Sequence, residues 1–294
     1  MNYLLVNPAA GNGNGHASLR ELLDHHDIQV EPVTDAALRE ALPGPGDRLI
    51  VVGGDGTVSR TASYCIAHGC ALGLIPTGTG NDFARGLGIP LEPAAACEVL
   101  AQGNEQVIDV CRANEHIYLN VLHAGLGSEV TRAVDDDDKR RLGRLSYARR
   151  LLDRCGDARG FRGTIECNGA RVRGRWVEIA VANGSSFGGG TRVFEANPLD
   201  GELDVIAVRP RLTAHLFKLW LLARVTRRVP DDPAVVYLRG PRCSISDCKP
   251  RQVTADGELV GATPLHIEVL PQALRVCVPP APAAASRNDR GVIS

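Results

Sequence analysis

A chain of 294 residues exceeds what one hydrophobic core usually organises, so two domains are expected. Its 44% apolar and 23% charged residues are those of a globular protein and exclude a fibrous or disordered chain. The formal net charge of −1 is unevenly spread: Val205 to Val229 contains Arg209, Arg211, Lys218, Arg224, Arg227 and Arg228 and no acid, and Lys139 to Arg175 is also basic. Such a face suits phosphates, on a membrane surface or a nucleic acid, unless its partner charges lie elsewhere in the fold. The nine cysteines form no C-x-x-C pair, which argues against zinc and against a disulfide framework. Buried, reduced thiols in a cytoplasmic protein are expected. The N-terminus reads as a strand rather than a signal peptide. No uncharged apolar run reaches the ~18 residues of a membrane span.

In chain order, Tyr3–Val6 reads as a strand, followed by the glycine-rich loop after Asn7-Pro8. A helix over Ser18–His25, a strand over Ile28–Val33 and a helix over Asp35–Leu42 come next. Leu49–Val52 is a third strand, with a helix over Val58–His68 after its turn. Leu72–Ile75 is a fourth strand. Helices start near Asp82 and span Pro93–Ala101. This alternation implies a parallel sheet with helices on both faces. Strands then dominate: Gln106–Arg112 paired with His116–Leu122, then, past a polar helical excursion over Glu129–Gly156, Gly163–Cys167, Ala170–Ala182, Leu203–Val208, Val236–Ser246, Gln252–Ala255, His266–Val269 and Leu274–Val278. One helix, Thr213–Arg227, interrupts them. It is apolar at Leu216, Phe217, Leu219, Trp220, Leu221, Leu222 and Val225 and basic around them, so either its apolar face is core or it docks on an anionic bilayer. The fold class is an α/β domain over residues 1–122, a β-sandwich-like domain over 123–278, and a disordered Pro/Ala-rich tail over 279–294.

Two stretches carry the chemistry. Leu49-Ile50-Val51-Val52 breaks into Gly53-Gly54-Asp55-Gly56-Thr57, and Leu72-Gly73-Leu74-Ile75 breaks into Pro76-Thr77-Gly78-Thr79-Gly80-Asn81-Asp82. A buried strand ending in glycines leaves backbone N–H groups able to approach a polyphosphate, and a following helix adds positive potential. Read alone, the first turn has a second, lesser reading as a strand-to-helix turn with Thr57 as N-cap. Asp55 would repel phosphate unless a cation sits between them, which suggests Mg2+. The lysine of a Walker loop and the spacing of a Rossmann fingerprint are both missing. Two turns one strand apart in a parallel sheet share an edge, where ligands bind. Two further turns, Asp256-Gly257-Glu258 and Asn197-Pro198-Leu199-Asp200-Gly201-Glu202, place paired acids between strands. The run Asp135–Asp138 reads as a solvated loop without a role.

With Phe83-Ala84-Arg85 completing the second turn, these stretches resemble the catalytic domain of the diacylglycerol kinase family, in its soluble bacterial branch. The Asn7-Pro8 opening, His123-Ala124-Gly125-Leu126-Gly127 and Gly188–Gly190 fit as well. The short Gly-Gly-Asp-Gly motif is shared with NAD kinases and phosphofructokinases; the longer Gly-Thr-Gly-Asn-Asp-Phe-Ala-Arg run singles out the lipid kinases. The resemblance implies an ATP-dependent lipid kinase, with diacylglycerol as acceptor and phosphatidic acid as product. It implies that Gly53, Gly54, Asp55, Gly56, Thr57, Gly78 and Thr79 hold the ATP phosphates. Asn7 and Thr34 would line the nucleotide site, and Asp82 would organise a Mg2+ and phosphate network. Asp256 or Glu258 would be the base that takes the hydroxyl proton. A second Mg2+ would be held by Asp200 and the carbonyls of Asn197 and Glu202. A peripheral contact with an anionic membrane, no nucleic-acid partner and a cytoplasmic location follow, and a homodimer is left open. The alternatives are an NAD-kinase-like enzyme with a soluble acceptor and a catalytically silent nucleotide-binding regulator.

Overall fold

The computed structural model describes residues 1–7, 15–36, 38, 43–133, 160–184, 186–187, 191–192, 196–226, 228–247 and 249–280. Pro8, Asp135–Asp138, Gly188–Gly190, most of the expected helices over 35–42 and 129–156, and the tail beyond Pro280 lie outside them. The first half alternates as its periodicity predicts: β1 (Asn2–Val6), α1 (Gly15–His25), β2 (Glu31–Val33), β3 (Arg48–Gly53), α2 (Asp55–His68), β4 (Ala71–Pro76), α3 (Asp82–Gly86) and α4 (Pro93–Gln102). β2, β1, β3 and β4 are parallel neighbours in that order. β3 and β4 are buried almost throughout, which is why they read as continuous apolar runs. Leu19, Leu23, Ala96, Cys97 and Leu100 of α1 and α4 pack on one face of the sheet. Val58, Ala62, Cys65, Phe83 and Ala84 of α2 and α3 pack on the other.

The second half builds the sandwich from β5 (Glu105–Ala113), β6 (His116–Tyr118), β7 (Val121–Gly125), α5 (Leu126–Ala133), β8 (Phe161–Cys167), β9 (Ala170–Trp176), β10 (Glu178–Ala182), β11 (Ser186–Phe187), β12 (Thr191–Arg192) and β13 (Leu203–Val208). It is completed by α6 (Thr213–Thr226), β14 (Val235–Gly240), β15 (Arg242–Asp247), β16 (Gln252–Ala255), β17 (Glu258–Ala262) and β18 (Leu265–Cys277). A six-stranded sheet runs β14-β13-β10-β7-β16-β17. Its inner face (Leu122, Ile179, Val205, Val253) meets Cys111, Ile165, Trp176, Ile245 and Ile267 of the first sheet's extension in one core. That extension is β18, β15, β8 and β9, with β5 beside β18 and β6 beside β5. β18 is the seam: it pairs parallel with β4 at Val276 and Leu72, and antiparallel with β5 and β15.

Three segments that read on sequence as single strands are each two. His116–Leu122, Ala170–Ala182 and Val236–Ser246 break near Leu119-Asn120, Val177 and Pro241, and the halves enter different sheets. Both halves of each face the same core from different sheets, and at two breaks the inward positions change phase, from Val172 and Trp176 to Ile179 and Val181 and from Val236 and Leu238 to Cys243 and Ile245; strands that switch sheets do so at such bends. The reverse holds for His266–Val269 and Leu274–Val278, which are one strand, β18, with an irregularity between Leu270 and Leu274. β17 was not expected; its Glu-Leu-Val-Gly-Ala run is nearly all exposed and lacks a buried alternation. The seven described cysteines are free and buried, as the count and spacing suggest.

Candidate active site

β3 and β4 end together, with Gly53 opposite Pro76. The backbone joins the two turns: Thr77 N donates to Gly53 O at 3.0 Å. A Cβ on Gly78 would stand 2.6 Å from the Gly54 Cα, so both positions must be glycine for the turns to touch. Asn81, in the left-handed region at φ +52, fixes the second turn. Its Oδ1 accepts from Gly78 N at 3.0 Å and its Nδ2 donates to Gly78 O at 2.7 Å, pinning one residue from both sides. The sequence reading gave Asn81 no role; its position between glycine and a helix start was the available signal.

α2 starts at Asp55, three residues before the expected Val58. Gly54 is its N-cap, and no side chain caps it. The first N–H groups of the helix are thereby left for a ligand, in a positive end field. Thr57 is not the N-cap but a buried first-turn residue whose Oγ1 accepts from Asn7 Nδ2 at 2.8 Å. Asn7 also donates its N–H to Val52 O at 3.1 Å, so β1 is tied to the same turn. Asp55 Oδ1 accepts from Phe83 N at 3.1 Å and fastens α2 to the start of α3, where Asp82 sits. Thr34, just past β2, and Thr79, in the second turn, are exposed at this edge.

The Asp-Gly-Glu hairpin joins β16 to β17, and its two acids do different things. Asp256, at φ +48, accepts four hydrogen bonds. Leu119 N (2.7 Å) and Ser59 Oγ (3.1 Å) donate to its Oδ2, and Asn120 N (2.9 Å) and Val121 N (3.1 Å) to its Oδ1. Its own N–H donates to Val121 O at 3.0 Å. One carboxylate thus holds α2, the crossover from β6 to β7, and the hairpin. This also explains the broken strand, because the N–H groups of Leu119–Val121 turn to a side chain. Burial pushes the Asp256 carboxyl above the usual range, and the four donors pull against it. Glu258 is exposed and reaches back over the first turn: a Cβ on Gly56 would stand 2.9 Å from its Oε1. Asp256 is tied into three segments, and Glu258 faces the first glycine turn.

His123 and Glu178 close the neighbouring part of the sheet. Glu178 Oε1 lies 2.8 Å from His123 Nδ1, and its Oε2 accepts from Gly127 N at 2.6 Å, at the start of α5. Asp109, to which the sequence reading also gave no role, is buried and joins three segments. It accepts from Gly201 N and from Gln272 N, both at 2.8 Å, and its carbonyl accepts from Asn183 Nδ2 at 3.0 Å. Asn183 Nδ2 also donates to Leu119 O at 3.1 Å.

At the turn from Asn197 to Glu202 an internal cation takes up the Asp200 side chain, the one carboxylate expected to hold a second Mg2+. Arg239 sits opposite Asp204 across β13 and β14. Its guanidinium bonds Asp200 through Nη2, reaches Glu202 Oε2 at 3.1 Å through Nη1, and comes within 3.7 Å of Asp204 Oδ1 through Nε. Asp200 Oδ1 meanwhile accepts from Glu202 N at 3.0 Å, and Asn197 O accepts from Asp200 N at 3.4 Å. Among the described residues no cluster of three or more His, Cys, Asp or Glu is arranged to hold a metal. A cavity of about 760 Å3 lies elsewhere, beside β8, β9, β15 and β18; each of its three arginines, Arg112, Arg171 and Arg242, has a glutamate within ion-pair distance.

Glycine turns at the carboxyl edge of a parallel sheet, faced by an acidic hairpin from a second sheet, are the layout of a nucleotide-dependent phosphotransferase. Comparison with known proteins narrows the class. Residues 2–113 match the model of the diacylglycerol kinase catalytic domain, and residues 120–278 that of the YegS C-terminal NAD kinase beta sandwich-like domain. A Pseudomonas aeruginosa protein named "Probable lipid kinase YegS-like" is 33% identical, over 82% of this chain and 80% of its own. A protein of Bacillus subtilis named "Diacylglycerol kinase" is 28% identical, over 83% of this chain and 80% of its own. A crystal structure of a diacylglycerol kinase from Bacillus anthracis superposes with a TM-score of 0.79 at 25% identity, covering 95% of this chain and 97% of that one. The chain belongs to the YegS-like lipid kinase family, which couples a diacylglycerol kinase catalytic domain to a β-sandwich-like domain. Membership of a kinase family implies the use of ATP.

Proposed function

We propose that the protein transfers the γ-phosphoryl group of ATP to the hydroxyl of a lipid, with diacylglycerol as acceptor and phosphatidic acid as product. The observation that carries this reading is the reach of Glu258 over Gly56, which puts a carboxylate from the second sheet against the donor turn. The open N-terminus of α2 and the peptide of Gly54 receive the phosphates, beside the Gly78 peptide that Asn81 holds in place. Glu258 accepts the proton of the attacking hydroxyl, and Asp256 holds the hairpin that presents it. Phosphoryl transfer depends mainly on such positioning and charge stabilisation. Asp55 and Asp82 are the hard oxygen donors this edge offers to Mg2+, which when bound would screen the phosphate charges.

The test is labelled ATP with dispersed diacylglycerol in one arm and NAD in the other. Label in phosphatidic acid, and little in NADP, is expected. Equal or better turnover of NAD would replace the lipid reading by an NAD-kinase-like one. Label in neither arm, nor in a total bacterial lipid extract, would favour a silent nucleotide-binding regulator.

A further inference from the structure

α6 is apolar on both sides, and only one side is buried. Leu216, Leu219 and Ala223, at helical spacings of three and four, face inward. Ala223 packs with Val121, Ala180, Ala182 and Ile206 on the outer face of the six-stranded sheet. The opposite face carries Ala214, Lys218, Leu221, Leu222 and Val225, all exposed. The positions 214, 218, 221 and 225 fall on one stripe of a helix. Leu212 just ahead of the helix is 83% exposed and Val225 72%. Of the nine exposed large apolar residues among those described, four (Leu212, Leu221, Leu222 and Val225) lie in this one segment. A stripe of this kind marks a surface that another apolar phase covers.

The charges around it say which phase. Lys218 stands within the stripe, Arg211, Arg224 and Arg228 lie around it, and no acid occurs from Val205 to Val229. The Arg224 guanidinium lies 5.3 Å from the centroid of the Trp220 ring, and Trp220 stacks on Phe217. Arginine and tryptophan beside an apolar stripe suit the headgroup level of an anionic bilayer. A second copy of the chain fits poorly, since a two-fold contact would set these cations against their own copies. Fourteen residues of helix span about 21 Å, which is too short to cross a bilayer and suited to lying in its surface.

We propose that the outward face of α6 docks the protein onto an anionic membrane surface, with Leu212, Leu221, Leu222 and Val225 entering the acyl boundary and the surrounding cations meeting lipid phosphates. Val121, under Ala223 on the inward side, donates to Asp256, so docking sets the acceptor half of the site beside the bilayer. The inference deepens the lipid kinase reading and rests on it for its purpose.

The full chain is sedimented with phosphatidylcholine vesicles, with and without phosphatidylglycerol, and Trp220 fluorescence is followed in parallel. The other tryptophan, Trp176, is fully buried and silent to added vesicles. Binding to the phosphatidylglycerol vesicles, reversed by salt and accompanied by a blue shift, is expected. Leu221→Glu with Val225→Glu should lower partitioning at least about tenfold, while turnover of a short-chain, water-dispersed diacylglycerol stays unchanged. Equal binding to neutral vesicles, no Trp220 shift, or full binding by the double variant would overturn the proposal. So would a dimer that the double variant converts to monomer without any vesicle binding, which would make this face a self-contact. Phosphorylation of the dispersed lipid by a protein that ignores vesicles would sink the docking alone; vesicle binding without any lipid phosphorylation would sink the kinase reading alone. If the double variant fails to fold, the wild-type Trp220 response decides.

Discussion

The two sides of the candidate site are built by different means. The proposed donor side is made of backbone: Gly54 and Gly78 touch, Asn81 pins a peptide, and α2 opens its N-terminus. All of it lies within 30 residues of chain. The proposed acceptor side is made of side chains borrowed across distance, since Asp256 binds Ser59 and Leu119–Val121, 135 to 197 residues away. A backbone site tolerates almost no added atom, whereas a side-chain site can lose its chemistry and keep its shape.

That contrast is most sharply broken at the hairpin. Glu258→Gln should lower kcat by about 100-fold or more, the span of general-base catalysis, with the melting temperature unchanged because Glu258 is exposed. Asp256→Asn should act on both axes: an amide sets a donor against facing N–H groups, at a cost of about 1–3 kcal/mol. Denaturant unfolding alongside kinetics checks the pair. If Asp256→Asn melts like wild type while losing activity, Asp256 is no positioning residue. Next in size is Gly78→Ala, which pushes the two turns apart where a Cβ has 2.6 Å to the Gly54 Cα. The KM for ATP should rise by roughly tenfold or more as the phosphate geometry slips, while the KM for the lipid holds. A change in the lipid KM alone would contradict a donor role for that turn.

Smaller again is Arg239→Met, which takes the shared cation from Asp200, Glu202 and the buried Asp204, leaves Asp204 its hydrogen bond from Tyr237, and should cost on the order of 1–3 kcal/mol. Burial already pushes the Asp204 carboxyl above its usual range. Wild type should melt at the same temperature with EDTA as with Mg2+ in the absence of nucleotide. A large fall in EDTA would restore a metal to the turn from Asn197 to Glu202.

The smallest effect is at β18, away from the candidate site, where Glu268 lies between Arg112 of β5 and Arg242 of β15. The Arg112 hydrogen bond, with Arg242 adding to it, holds Glu268 below the ordinary carboxylate range. A depressed folded pKa stabilises above the unfolded value and loses that contribution as pH falls through the folded one. Glu268→Gln should therefore flatten the acid limb of stability between about pH 3 and pH 6 and leave neutral activity alone. Melting curves across that range measure it.

The parallel half and its glycine turns were legible because their signals are local. Apolar runs such as Leu49–Val52 are buried on both faces, and a glycine is read wherever backbone must pass close. The sandwich strands were legible as segments but not as sheets, since the bends at Val177 and Pro241 show along the chain only as a one-residue change of phase in otherwise continuous β patterning. Sequence also left Asp256 and Glu258 interchangeable, one glycine apart in one hairpin. Only the tertiary structure separates them, by bringing Ser59 and the turned N–H groups of Leu119–Val121 to one carboxylate and leaving the other against Gly56. The same holds at Asp200, where the cation is Arg239, about forty residues on in sequence but adjacent across two strands. Motif chemistry is written along the chain because backbone geometry is local; the assignment of partners is written in the fold because charge and hydrogen bonding act through space.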